Sequence, residues 1–239
     1  MSIKEVYNSC MPAEKRKKER MNIWVALVVR PLSVLLTIPF INTRVKPSDI
    51  TILSILFSIA GFILFVIGFD NLTMKIAGWF CFFVWAILDG VDGNLARCQR
   101  TTSALGELWD AVGGYAAMVL IYLSAGIATF YDKNLVDFCD SYLLILLGGI
   151  CAVASIFPRL IMHKKNNIMP KEMTVDGFNH KERYNTKEII VMNFISVSGF
   201  MQVIFFASIL THTLNLFITF YCCINIVVLF LSLRILLKE

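Results

Sequence analysis

The chain has 239 residues, of which 57% are hydrophobic and only 16% charged, with a formal net charge of +5. A mean hydropathy of +0.71 excludes an ordinary soluble domain and points to an all-α polytopic membrane protein. The basic residues flank apolar runs, as cytoplasmic loops do beside anionic lipid, so the charge implies membrane lipids rather than nucleic acid as its partner.

Taken in order, residues 1–21 read as a cytosolic segment with a basic run, Lys15-Arg16-Lys17-Lys18-Glu19-Arg20. No small-residue cleavage pattern follows it, so no signal peptide is expected. Residues 22–41 are apolar, but Arg30-Pro31 stands in the middle. An amphipathic helix lying in the interface, with Arg30 turned to water, costs less than a span. The first clear span is Ile50–Phe69, twenty residues without a charge, a length that crosses the hydrocarbon core. Further spans are expected at about 76–97, 104–131, 142–162, 189–210 and 214–237. The polar loop after the fourth carries Lys171, Lys181, Arg183 and Lys187.

Six spans with both termini in the cytosol put the N-terminal run, Arg97, Arg100, that loop, Arg234 and Lys238 on one side, and leave only Lys75 and Lys133 near the other. The asymmetry obeys the positive-inside rule. The chain thus divides into an N-terminal segment with the interfacial helix, residues 1–48, and a six-helix transmembrane domain, residues 49–239. The seven cysteines show no metal-finger spacing and read as small apolar residues. His163, His180 and His212 are scattered, which argues against a histidine metal site.

The stretch DGVDGNLARCQRTTSALGELWDAVGG, from Asp89 to Gly114, carries the chemistry. Asp89 and Asp92 are three residues apart and share a helix face. Asp110 follows on the next span. Carboxylates at span ends are costly and mark a functional site. Left bare in a low dielectric they repel, so protonation, Arg97 or a divalent ion must compensate. Oxygen-only ligands suit a hard cation such as magnesium or manganese. Against this stands a purely structural ion-pair cluster, with Gly90, Gly93 and Ala96 serving helix packing. Packing alone does not need three acids.

The stretch resembles the signature of the CDP-alcohol phosphotransferase family, D-x2-D-G-x2-A-R-x8-G-x3-D-x3-D. Asp89, Asp92, Gly93, Ala96, Arg97, Gly106 and Asp110 all fall in place. The resemblance extends to the six-span layout and to Pro47-Ser48-Asp49-Ile50-Thr51 at the start of span one, where Ser48 replaces the Asn often found. It implies transfer of a phospho-alcohol group from a CDP-linked donor to the hydroxyl of a lipid or polyol acceptor, with release of CMP, in phospholipid or related phosphodiester synthesis. It implies Asp89, Asp92 and Asp110 as ligands of Mg2+ or Mn2+, Asp110 also being catalytic. Thr51, Gly93, Ala96, Arg97 and Gly106 would bind the nucleotide. The same resemblance implies a cytosol-facing site and a homodimer. Arg159, near the end of span four, either snorkels to the headgroups or binds an anionic group on the acceptor.

The signature's last aspartate is missing: Gly114 stands four residues after Asp110. In the family that residue is a metal ligand and the favoured base for the acceptor hydroxyl. Glu107 lies on nearly the same helix face, but roughly 10 Å away along the axis, and reads as a solvated or capping acid. Three readings are open at this position. The chain is a branch that reacts without this base, or an impaired relative that binds a CDP-compound or acts as a partner subunit, or an altered copy. A transporter with ion-binding carboxylates is the remaining class, but transporters place such groups at the midplane of internal repeats, and no repeat is evident.

Overall fold

The computed structural model describes residues 10–11, 21–68, 70–131, 140–168 and 186–236. The basic run 15–20, the turn 132–139, most of the loop after the fourth span, Cys139, His180 and Lys238 lie outside them, as does the notional end of span one at Phe69. Every regular element among the described residues is helical.

The N-terminal element is a continuous helical segment, Val25–Phe40, which opens with a π-helical stretch, Val25–Val29. Its regular part is α1, Arg30–Thr37. Its buried face sets Ser33 and Thr37 among Val25, Val29 and Val34, while Leu27, Leu35 and Leu36 are exposed. The two hydroxyls are not left to water: Asn94 Nδ2 donates to Ser33 Oγ at 3.3 Å and to Thr37 Oγ1 at 3.4 Å. Gly90 lets the two helices approach, since a Cβ there would come 2.8 Å from that of Ser33.

Among the described residues, five helices are long and apolar enough to cross a membrane. They are α2, Pro47–Ile67; α3, Leu72–Gln99; α4, Ala104–Tyr131; α5, Ser141–Ile168; and α8, Leu214–Leu236. Their starts follow local chemistry. Pro47 occupies the first turn of α2, and Asp49 accepts from the Lys46 N–H at 3.0 Å. Asn71 caps α3 by accepting from the N–H groups of Thr73 and Met74. Ser103 Oγ accepts from the Gly106 N–H at 3.1 Å at the start of α4. At its end, α3 closes on Arg100 in the left-handed conformation, φ 55°.

The fifth expected span differs from the sequence reading. Residues 189–210 do not form one helix but split into α6, Thr186–Ile195, and α7, Phe200–Leu210. The break falls on Ser196-Val197-Ser198-Gly199. Irregular backbone between apolar helices is tolerated where its polar groups are satisfied or where it lines a cavity. The Gly199 N–H donates to the Ser196 carbonyl at 2.8 Å, and side-chain bonds hold the break in place: Asn22 donates to Ser196 Oγ at 2.8 Å, and the Ile23 N–H donates to Asn193 Oδ1 at 2.8 Å. Gly199 is needed at the corner, because a Cβ there would meet Ser196 Cβ at 2.8 Å and the Asn193 carbonyl at 3.0 Å.

Helix α2 packs on α3 and α4, α4 on α5, and α8 on α5 and α4. The buried face of α2 carries Thr51, Ser54, Ser58 and Gly61, small residues that allow close approach in lipid. The core centres on Phe65, Phe82, Tyr122, Phe205 and Tyr221, all buried. Trp79 ties α7 to α3 by donating its indole N–H to the Gln202 carbonyl at 2.9 Å.

Candidate functional site

The last three turns of α3 and the first three of α4 bring the signature residues to one end of the bundle. Asp89 and Asp110 line a cavity of ≈ 370 Å³ together with Trp85, Glu107, Gly114 and Tyr115. Helix α5 contributes Arg159 and His163 to the same cavity, and the break between α6 and α7 contributes Ser196 and Ser198. Arg159 is close enough to Asp89 for their charges to interact. Three carboxylate side chains and one guanidinium therefore share one space, which fits an anionic ligand neutralised partly by the protein and partly by a cation.

Asp92 lies one turn beyond Asp89 on α3 and is buried, 3% exposed. Its Oδ2 accepts from the Thr51 hydroxyl at 2.6 Å, a bond that joins α2 to α3. The same hydroxyl also reaches the Pro47 carbonyl at 3.2 Å. Thr51 thus contacts a carboxylate, which was not anticipated for it.

The residues expected against the nucleotide do not line this cavity. Arg97 donates from Nε to the Cys10 carbonyl and from Nη2 to Asn94 Oδ1, both at 2.8 Å. Its guanidinium lies over Gly93, where a Cβ would come 3.4 Å from Nη1. Arg97 is therefore held by the N-terminal segment and by its own helix. Gly93, Ala96 and Gly106 are half-buried, and Gly106 takes part in the start of α4.

Several lining residues were not singled out from the sequence as site residues, among them His163, Tyr115, Trp85 and Ser196. Tyr115 Oη and His163 Nδ1 share a hydrogen bond of 3.1 Å, in which either group can donate. The indole Nε1–H of Trp85 is buried and has no hydrogen-bond partner. Glu107, read from sequence as a solvated or capping acid, is exposed but faces the same cavity. Gly114 opens onto it as well, and an added Cβ there would meet nothing within 4 Å.

Among the described residues no three His, Cys, Asp or Glu side chains gather closely enough to hold a metal ion unaided. The donor chemistry nonetheless suits a hard cation. Magnesium is commonly bound by one or two carboxylates, its other positions being filled by substrate phosphates and water rather than by a protein cage. Asp89 and Asp110 on one cavity meet that requirement.

A sequence model of CDP-alcohol phosphatidyltransferases matches residues 44–224, well over half of the chain. The chain belongs to the CDP-alcohol phosphatidyltransferase family. Among curated relatives it is similar to cholinephosphotransferase 1 of Danio rerio, 29% identical over 92 residues. That match covers 36% of this chain and 24% of the relative, so only a part of that protein is shared. Its long apolar helices fit a family of membrane enzymes, and the acids of α3 and α4 sit within the matched residues.

Proposed function

We propose that the protein transfers a phospho-alcohol group from a CDP-linked donor to the hydroxyl of a lipid or polyol acceptor at the cytosolic membrane face, releasing CMP. The observation that carries this reading is the shared cavity of Asp89, Asp110 and Arg159, built from three different helices of a family member. In this reading α6 and α7 together make the sixth crossing, broken at the cavity, and both termini face the cytosol, where the basic residues concentrate. The family resemblance extends the proposal to a homodimer.

Asp89, Asp92 and Asp110 would hold Mg2+ or Mn2+. When bound, such an ion neutralises charge on the phosphates and orients an in-line displacement. The chain's own residues do the rest. Thr51 fixes the rotamer of Asp92 through its hydroxyl. Arg159 offers a planar fork of donors to an anionic group, a shape an ammonium lacks. Gly93 leaves room for the Arg97 guanidinium, which together with Ala96 and Gly106 would form the nucleotide side. Trp85 supplies an unpaired N–H at the cavity wall for a ligand oxygen. The acceptor oxygen forms a bond to the β-phosphorus as the bond to the CMP oxygen breaks, and CMP leaves with that electron pair.

The test is product formation in sealed vesicles of known orientation. Labelled CDP-alcohol added to vesicles with their cytosolic face outward should yield labelled phosphodiester without permeabilisation. Label transfer that requires permeabilising those vesicles would contradict the proposed orientation, and none under either condition would contradict the transfer.

A further inference from the structure

The position that lacks its acid has an imidazole beside it. Gly114 opens onto the cavity, and the next residue, Tyr115, is hydrogen-bonded to His163 at 3.1 Å. His163 lines that cavity from α5, one helical turn after Arg159. The tyrosine thus fixes the imidazole near the level of position 114 on the facing helix. Glu107, the other candidate, lies two turns away, roughly 10 Å along α4.

We propose that His163 is the general base of this branch of the family, taking the proton from the acceptor hydroxyl in place of a carboxylate at position 114. The proposal rests on the transfer reading above. Histidine suits the task because it is the side chain most often placed to take a proton from a reacting hydroxyl. With Nδ1–H donating to Tyr115 Oη, the lone pair on Nε2 is left to receive the proton. The tyrosine then orients the ring as the third member of a triad does.

The step balances. The acceptor O–H bond breaks, its hydrogen passes to Nε2, and the oxygen forms the new O–P bond. The P–O bond to CMP breaks with its electron pair going to CMP, and the imidazolium returns its proton to water. His163 is exposed at the end of α5, so that return path is open. An acid at 114 could do the same work in this chain, because the space for its side chain is already clear.

The experiment uses the purified full chain in lipid nanodiscs with Mn2+, a CDP-alcohol and an acceptor, following CMP release and, separately, CDP-alcohol binding by calorimetry. His163→Ala should lower kcat by about 10²–10⁴-fold while donor affinity changes less than about twofold. Imidazole added to the buffer should restore part of the rate, and Gly114→Asp in the His163→Ala background should restore it without imidazole. Tyr115→Phe should lower kcat by a smaller factor. Undiminished CMP release by His163→Ala, or a loss confined to Glu107→Gln, overturns the proposal and leaves the transfer reading standing. So does a loss in His163→Ala that comes with lost donor binding and answers neither to imidazole nor to Gly114→Asp. A wild type that binds CDP-alcohol but releases no CMP overturns the transfer reading and this proposal together.

Discussion

The Thr51 hydroxyl donates to Asp92 Oδ2 at 2.6 Å, a side-chain bond that links the start of α2 to a carboxylate of α3. A hydroxyl so placed fixes which way the carboxylate faces. Partners of this kind behind a metal ligand typically govern 10–100-fold in metal affinity. Thr51→Val keeps the shape and removes the donor. The metal concentration giving half-maximal CMP release should rise by roughly 10–100-fold, while the rate at saturating metal falls much less. A Thr51→Val enzyme with unchanged metal dependence would remove Thr51 from this role.

Arg159 shares the cavity with Asp89 and Asp110. If it binds an anionic group, shape and charge both matter. Arg159→Gln should raise KM for the anionic substrate by about tenfold or more, a loss of about 1.4 kcal/mol or more in binding. Arg159→Lys should fall between the two, keeping the charge but losing the fork. Steady-state kinetics against donor and acceptor separately show which substrate it holds. Equal KM values in all three proteins would mean that the guanidinium only reaches to the headgroups.

The contact between α1 and α3 is tight at Gly90, where an added Cβ would sit 2.8 Å from Ser33 Cβ and 3.1 Å from an Arg30 guanidinium nitrogen. Overpacking of this sort costs about 1–3 kcal/mol. Gly90→Leu should lower the thermal midpoint of the detergent-solubilised protein by several degrees. It should also weaken docking of the N-terminal helix, read as faster proteolysis near residues 21–40. A Gly90→Leu protein as stable as the wild type would show that α1 is not held where the structure places it.

Much of this arrangement was legible in the sequence. Charge-free length identified α2, a long apolar run identified α8, and the carboxylate spacing drew attention to the ends of α3 and α4 that meet at the cavity. The bounds of α4, Ala104–Tyr131, agree with the expected span because Ser103 opens the helix and a charge-free run from Ala111 carries it to Tyr131. Hydropathy did not reveal the break at 196–199, since a window of twenty residues averages over four small ones. The run Ser196-Val197-Ser198-Gly199 was the local signal for it. His163 was missed because it was weighed as a metal ligand alone, whereas its relation to Tyr115 is purely tertiary. Its spacing from Arg159 was the available hint, for four residues put both on one helix face. Arg97 is the converse case: its motif position was plain, but its bond to the Cys10 carbonyl depends on an N-terminal segment that no motif describes.

The central claim is that the acids of α3 and α4 perform metal-dependent transfer despite Gly114. The most direct measurement is CMP release by purified wild type with Mg2+ or Mn2+, a panel of CDP-alcohols and hydroxyl acceptors, with Asp110→Asn and a chelated sample alongside. The account predicts acceptor-dependent CMP release by the wild type that disappears in Asp110→Asn and on chelation and returns when metal is added back. No CMP from the wild type with any donor and acceptor, and turnover only after Gly114→Asp, would contradict it.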